Sequence, residues 1–243
     1  MSFDRIAPSY RALEWMAFSN VLQRARTAFI SQAVDSRCAL LVGEGDGRFL
    51  AELLQRNPKA EIDCIDASAA MIQRAHARAA VTSSKARDLA SVDKRVARSL
   101  GVRPPQDDTS SKLGELSRLN FYHADILDST PPRKSYDLVV THFFLDCFNR
   151  DQLSGVIAKL ARSAAPRSCW LVSDFAMPKN GFRSVHAKIW LRAMYSFFGA
   201  VAALEAHELV DPSSFIQDTG FQLRREIVTH LGLVKAQLWE RGA

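Results

Sequence analysis

The stretch Leu41-Val42-Gly43-Glu44-Gly45-Asp46-Gly47-Arg48-Phe49 decides how this chain folds. An apolar run, Cys38 to Val42, leads into it, and a helix-like pattern to about Arg56 leaves it. Three alternate glycines between a strand and a helix let the backbone turn tightly and let a ligand approach it closely. The helix start behind them offers N–H groups that have no partner inside the helix. A dinucleotide fingerprint, G-x-G-x-x-G, needs glycine at position 48, and Arg48 stands there. Two readings follow: a tight βα turn and nothing more, or a binding turn for a ligand without a pyrophosphate.

Outward from this turn, strands alternate with helices, which predicts a parallel sheet covered on both faces. Strand-like runs fall at Ile62–Ile65, Leu119–His123, Tyr136–Val140 and Cys169–Phe175. Ser68 can cap the helix after the second run, and Asn149 with Gln152 forms a capping-box pair that opens a helix to about Ala164. Asp211-Pro212 starts a short helix that Gly220 ends. Two last strands, Phe221–Thr229 and Leu233–Trp239, are close enough to form a hairpin. In the second, Val234, Ala236 and Leu238 alternate with Lys235, Gln237 and Trp239, as in a half-exposed strand. The fold class is therefore α/β: a Rossmann-like, doubly wound, seven-stranded sheet with a C-terminal antiparallel hairpin. Leu13, Met16, Ala17, Val21 and Leu22 recur at helical spacing over the first 33 residues.

Composition narrows the function classes. A chain of 243 residues, 47% hydrophobic and 24% charged, can bury a full core as one domain spanning 1–243. No apolar run approaches the ~20 residues that a membrane span needs, and the N-terminus carries charge where a secretory signal is apolar. Cys38, Cys64, Cys147 and Cys169 make no CxxC pair, so free buried thiols, a cytoplasmic location and no metal are expected. The net charge of +6 sits in one segment. From Arg74 to Arg103, eight basic residues stand against Asp88 and Asp93 alone. Leu89, Val92, Val96 and Leu100 lie near helical spacing there, inside an insertion of about 80–118. That segment reads as a solvated helix and loop, or as a docking face for an acidic partner or RNA. Its lack of aromatic residues weighs against single-stranded RNA, so nucleic acid is not the expected partner.

Doubly wound sheets bind ligands beyond the carboxyl ends of their strands. Asp66 ends the second run, where a carboxylate accepts from ribose hydroxyls or simply charges a helix start. His123-Ala124-Asp125-Ile126-Leu127 ends the third. With Gly43, Gly45 and Gly47 as motif I, Asp66 as motif II, Asp125 as motif III and Tyr136–Val140 as the strand of motif IV, the chain resembles class I S-adenosylmethionine-dependent methyltransferases. The opening Phe3-Asp4-Arg5-Ile6-Ala7-Pro8-Ser9-Tyr10 resembles the ubiquinone/menaquinone-type C-methyltransferases. The resemblance implies S-adenosyl-L-methionine as cofactor and a lid over it from residues 1–35. It implies cofactor contacts from Tyr10, Gly43, Glu44, Gly45, Gly47, Asp66, Ala67, Met71, Asp125, Ile126, Thr141 and His142. Leu41 departs from the acidic residue that family members often carry two positions before the first glycine, and Glu44 is the expected substitute.

Methyl transfer from a sulfonium needs alignment first and a base only where the acceptor must lose a proton. His142 and Asp146, just past the fourth strand, are the candidates, with His123 after them; the other reading of His142 is packing near the cofactor. Thr141-His142-Phe143-Phe144 stands where nucleic-acid amino methyltransferases often carry an Asn/Asp-Pro-Pro-Tyr/Phe motif. The resemblance implies an acceptor-binding segment at about 178–210, where Phe182, Trp190, Met194, Tyr195, Phe197 and Phe198 read either as the seat of a small apolar or aromatic acceptor or as plain helix packing. The alternatives are an RNA or protein methyltransferase using the basic insertion, or a cofactor-binding protein without methyl transfer. A homodimer is left open.

Overall fold

A computed structural model describes residues 20–82, 118–176 and 209–242. Phe3–Tyr10, Leu13, Met16 and Ala17, nearly all of the basic insertion and nearly all of the 178–210 segment lie outside the described residues. Twelve regular elements follow one another: α1 (Val21–Thr27), β1 (Cys38–Val42), α2 (Arg48–Arg56), β2 (Glu61–Asp66), α3 (helical over 69–82), β3 (Leu119–His123), β4 (Tyr136–His142), α4 (Arg150–Ser163), β5 (Ala164–Phe175), α5 (Ser213–Asp218), β6 (Gln222–Thr229) and β7 (Val234–Arg241). The strands form one seven-stranded sheet in the order β3-β2-β1-β4-β5-β7-β6. β7 runs antiparallel between β5 and β6, and the other four neighbouring pairs are parallel. This is the doubly wound architecture with a C-terminal hairpin that the sequence predicts.

Alternate strand residues feed two cores. Leu41, Ile62, Leu138 and Leu171 pack with Leu22, Leu50 and Leu53 of α1 and α2 on one face. Leu40, Val139 and Trp170 pack with Ile157 and Leu160 of α4 and Ile216 of α5 on the other. Because both faces are covered, β1 is apolar throughout and β4 carries the apolar run Leu138–Val140, as parallel sheets require. The order reverses between β1 and β4, so the helices diverge there and leave the carboxyl edge of the sheet open to a ligand.

Three strand boundaries and one burial pattern depart from the sequence reading. β4 runs on through Thr141 and His142, because Thr141 and His142 pair with Val172 and Ser173 of β5. β5 begins at Ala164 instead of Cys169: Arg241 of β7 donates to the carbonyls of Ala161, Ala164 and Ala165 and ends α4 there. β7 extends to Arg241, and its alternation does not mean a solvated face. Lys235, Gln237 and Trp239 are all buried, since β7 is an interior strand and β6 takes the exposed edge. Their polar atoms find partners: Lys235 on Asp211, Gln237 on Glu226, and Trp239 on Gln237.

The caps read from sequence form. The Ser68 hydroxyl accepts from the Met71 N–H, and Asp211 accepts from the Ser213 N–H at 3.0 Å. Asn149 and Gln152 close a reciprocal capping box at the start of α4. That helix matters to the site, because its Lys159 ammonium donates to the carbonyls of Ile126 and Leu127. Asn149→Ala should lower stability by about 1 kcal/mol, read as a lower urea midpoint with an unchanged slope.

Candidate functional site

The turn after β1 is built on three left-handed glycines, with φ of +67° at Gly43, +66° at Gly45 and +79° at Gly47. A Cβ at Gly47 would lie 2.7 Å from the Ala75 Cα, so only glycine lets α2 start against α3. Asp46 locks that contact, receiving the Arg78 guanidinium at 2.8 Å and the Arg48 Nε at 3.2 Å. A Cβ at Gly45 would meet nothing within 4 Å. The middle of the turn therefore faces open space, and its N–H donates to the Asp66 carboxylate at 3.1 Å. Asp66 also receives the Ser68 N–H at 2.8 Å, so its side chain is fixed at the rim where β2 ends.

Glu44 points inward from the same turn and accepts from the Leu50 N–H at 2.9 Å. Desolvation raises its pKa to about 7, against the opposing pull of that hydrogen bond and of the Arg26 charge.

Beside the turn lies an apolar slot of about 60 Å³. Val42, Ile65, Ala67 and Ala124 come from the strand ends; Ile126 and Leu127 come from the loop that Lys159 holds. Phe144, Cys147 and Phe148 close the third side, and among the described residues Asp66 and Asp125 supply its only charges. A single water needs roughly 10–15 Å³ by this kind of measure, so the slot has room for a flat group, with carboxylates at its rim and carbon on its faces.

The wall after β4 is set by backbone strain. Phe143 has φ +53°, a left-handed conformation costly for a residue with a Cβ. Its ring packs on Phe175, and the Arg26 guanidinium lies over it at 5.0 Å. The reversal sends Phe144 toward the slot, close over Gly43, where a Cβ would come within 2.2 Å of the ring. The Phe144 N–H donates to Asp174 at 3.2 Å. The 3-10 turn that follows, Leu145–Cys147, carries Asp146 into the interior.

The fold distributes the sequence-predicted residues over several places. Asp66, Ala67, Asp125 and Ile126 line the slot. Gly43, Glu44, Gly45 and Gly47 form the adjoining turn. Met71 is buried at the start of α3. Thr141 is buried too, accepting from the Trp170 indole at 2.9 Å on the α4 face. Tyr10 lies outside the described residues. His123 is exposed at the end of β3, within 3.1 Å of the Ala67 carbonyl. His142 is 5% exposed and sits edge-on to Phe49, 4.8 Å between ring centres; neither nitrogen has a partner among the described residues. Burial, helped by the Arg26 charge, lowers its pKa to about 3, so the ring is neutral and a weak base. Asp146 is buried as well, and desolvation raises its carboxyl to about 6. The sequence reading did not include Val42, Ile65, Ala124, Leu127, Phe144, Cys147 or Phe148 in the site. The spacing of Phe144, Cys147 and Phe148, one helical turn past a strand end, was the available signal for the last three. Nor did it include Asp174. No cluster of metal-ligating side chains occurs among the described residues, and none of their helices is long and apolar enough to cross a membrane.

Comparisons with known proteins agree with this fold. The family model for the methyltransferase domain matches residues 40–169, while no curated protein matches the chain. Among solved structures, an O-methyltransferase family protein from Burkholderia thailandensis superposes with a TM-score of 0.59 at 16% identity, covering 92% of this chain and 58% of that one. The N-methyltransferase NodS from Bradyrhizobium japonicum, in complex with S-adenosyl-L-homocysteine, gives 0.59 at 12% identity over 97% of this chain and 99% of that one. Magnesium protoporphyrin IX methyltransferase from Synechocystis, also with S-adenosyl-L-homocysteine bound, gives 0.55 at 17% identity, covering 92% and 83%. At these identities the likeness is one of fold. The chain spans about three-fifths of the first structures it matches.

The glycines should separate on substitution. Gly45→Ala, with open space but left-handed φ, should cost about 1–2 kcal/mol; Gly47→Ala adds a backbone clash and should cost about 2–5 kcal/mol, both read by urea unfolding. Glu44 yields a pH dependence. Its folded pKa of about 7 lies above the ordinary value of 4.5, so the folded state holds the extra proton between them and stability falls as pH rises through that window. Glu44→Gln keeps the acceptor for Leu50 and should shrink that decline by about 3 kcal/mol at most, measured as unfolding free energy against pH.

Proposed function

Because the chain belongs to the methyltransferase family, whose domain model matches residues 40–169, we propose that it transfers a methyl group from S-adenosyl-L-methionine to a small, apolar or aromatic acceptor. The observation that carries this reading is the slot itself: an apolar cleft beside a three-glycine turn, with one carboxylate at the end of β2 and another after β3. An adenosyl group has the matching chemistry, a flat base to bury and a ribose diol to hydrogen-bond. A dinucleotide would need the glycine that Arg48 replaces.

In this reading Asp66 accepts from the ribose hydroxyls while its bonds from Gly45 and Ser68 keep it oriented. Asp125, anchored by the Leu127 N–H at 2.9 Å, faces the amino edge of the base. Ile126 and Leu127 pack on one face of the ring, and Phe144 and Phe148 exclude water from the other side. The bound cofactor supplies a methyl group already activated on a sulfonium, so the protein's task is alignment.

Acceptors that carry an O–H or N–H must also lose a proton. The low pKa of His142 leaves the imidazole a poor proton acceptor and suits it to lining the site as a neutral ring. Asp146, with its carboxyl near 6, is the better base at neutral pH. His123, exposed at the end of β3 beside the Ala67 carbonyl, is assigned to the adenosine end.

Asp66→Ala removes charge-assisted hydrogen bonds of about 1.5–3 kcal/mol each. Calorimetry with S-adenosyl-L-homocysteine should show affinity reduced about tenfold to a hundredfold. Unchanged binding would show that the adenosyl group lies elsewhere, and a labelled-methyl screen in which only highly charged acceptors react would overturn the acceptor class.

A further inference from the structure

Asp174, the penultimate residue of β5, was not among the residues singled out by the sequence, and its surroundings are unusual. It is 1% exposed, and its carboxyl lies within hydrogen-bonding reach of the Asp146 carboxyl, itself 7% exposed. One Asp174 oxygen accepts from the Phe144 N–H; the other, Oδ2, has no N–H or O–H donor among the described residues. Two ionised carboxylates in contact inside a protein repel strongly, and such pairs commonly keep one proton between them.

Among the described residues, neighbouring charge relieves the repulsion only in part. The β5–β7 register sets Lys235 beside Asp174, but its ammonium is already bonded to Asp211 at 2.6 Å. One cation thus serves both Asp211 and Asp174. The other titratable neighbour, Cys147, lies with its sulfur 3.8 Å from Asp146, and burial keeps its thiol neutral. The orphan oxygen of Asp174 is accounted for once a proton sits there and points at Asp146.

We propose that Asp174 is a positioning residue for methyl transfer: it holds a proton at neutral pH and donates it in a hydrogen bond to Asp146, which stays ionised to take the proton of the acceptor. The role in catalysis rests on the methyl-transfer reading above, whereas the shared proton is a property of the folded chain alone. Atoms and charge balance in the step. The acceptor's O–H or N–H proton passes to Asp146, the electron pair left behind forms the new bond to the methyl carbon, and the carbon–sulfur pair returns to sulfur, which becomes neutral. Asp174 enters and leaves the step protonated. Desolvation pushes both the Asp174 and the Asp146 carboxyl above the ordinary carboxylate range, in keeping with one proton held between them.

Infrared spectroscopy of the ligand-free full chain tests the proton directly. At pH 7 the wild type should show a buried protonated-carboxyl band that Asp174→Asn removes and that Glu44→Gln does not. Carboxyl-selective NMR then tests the coupling. Asp174→Asn keeps a donor toward Asp146 and should leave its titration close to wild type, while Asp174→Val, which has none, should move it upward by about one pH unit. Both Asp174 variants should bind S-adenosyl-L-homocysteine within about twofold of wild type, so that loss of the cofactor reading registers separately. The proposal is overturned if no band disappears in Asp174→Asn, or if Asp146 titrates alike in the Asn and Val variants. Should the valine variant fail to fold, the infrared comparison decides alone.

Discussion

Three left-handed residues in five positions hold the site open. Gly43, Gly45 and Gly47 turn the chain out of β1 in a path that side chains resist, and each does so against a different neighbour. Gly43 gives way to the Phe144 ring, Gly47 to the α3 backbone, and Gly45 to open space. The Asp46–Arg78 ion pair fastens the turn to α3, and the Gly45 N–H fastens it to Asp66. Without those contacts the carboxyl ends of β1 and β2 would have no fixed relation to the helix that follows, and the slot between them would lose its rim.

The other half of the site depends on where charge is buried. On the α4 face, the register of β5 with β7 brings Asp174, Lys235 and Asp211 together, while the strained turn at Phe143 swings Asp146 in beside them. On the opposite face, Glu44, Arg26 and His142 share a desolvated corner above Phe49. The same scarcity of water acts in opposite directions on these groups. It raises the carboxyls of Glu44 and Asp146 and lowers the imidazole of His142, since in each case the charged form loses solvation. An imidazole loses basicity under burial while a carboxylate gains it. On that asymmetry rests our proposal of Asp146, in place of His142, for proton transfer.

Local chemistry was legible in the sequence because local chemistry fixes it. The glycine triplet, the caps at Ser68 and Asn149, and the strands at Cys38–Val42 and Leu119–His123 depend on neighbours a few residues away. So do Asp66 and Asp125 as rim carboxylates: Asp66 ends β2, Asp125 stands two residues past β3, and parallel strands end on the same edge.

Contacts between distant segments were not legible. The burial of Lys235, Gln237 and Trp239 follows from β7 lying inside the sheet, and alternation alone cannot distinguish an interior strand with satisfied polar residues from a half-solvated one. Asp146 and Asp174 stand 28 positions apart, and nothing near either of them announces the other. The sequence by itself determined the architecture and the edge at which a ligand binds, through backbone preference and hydrophobic period. Only the tertiary structure decided which carboxyls meet out of water, because desolvation is set by everything packed around a group and by no short stretch of chain.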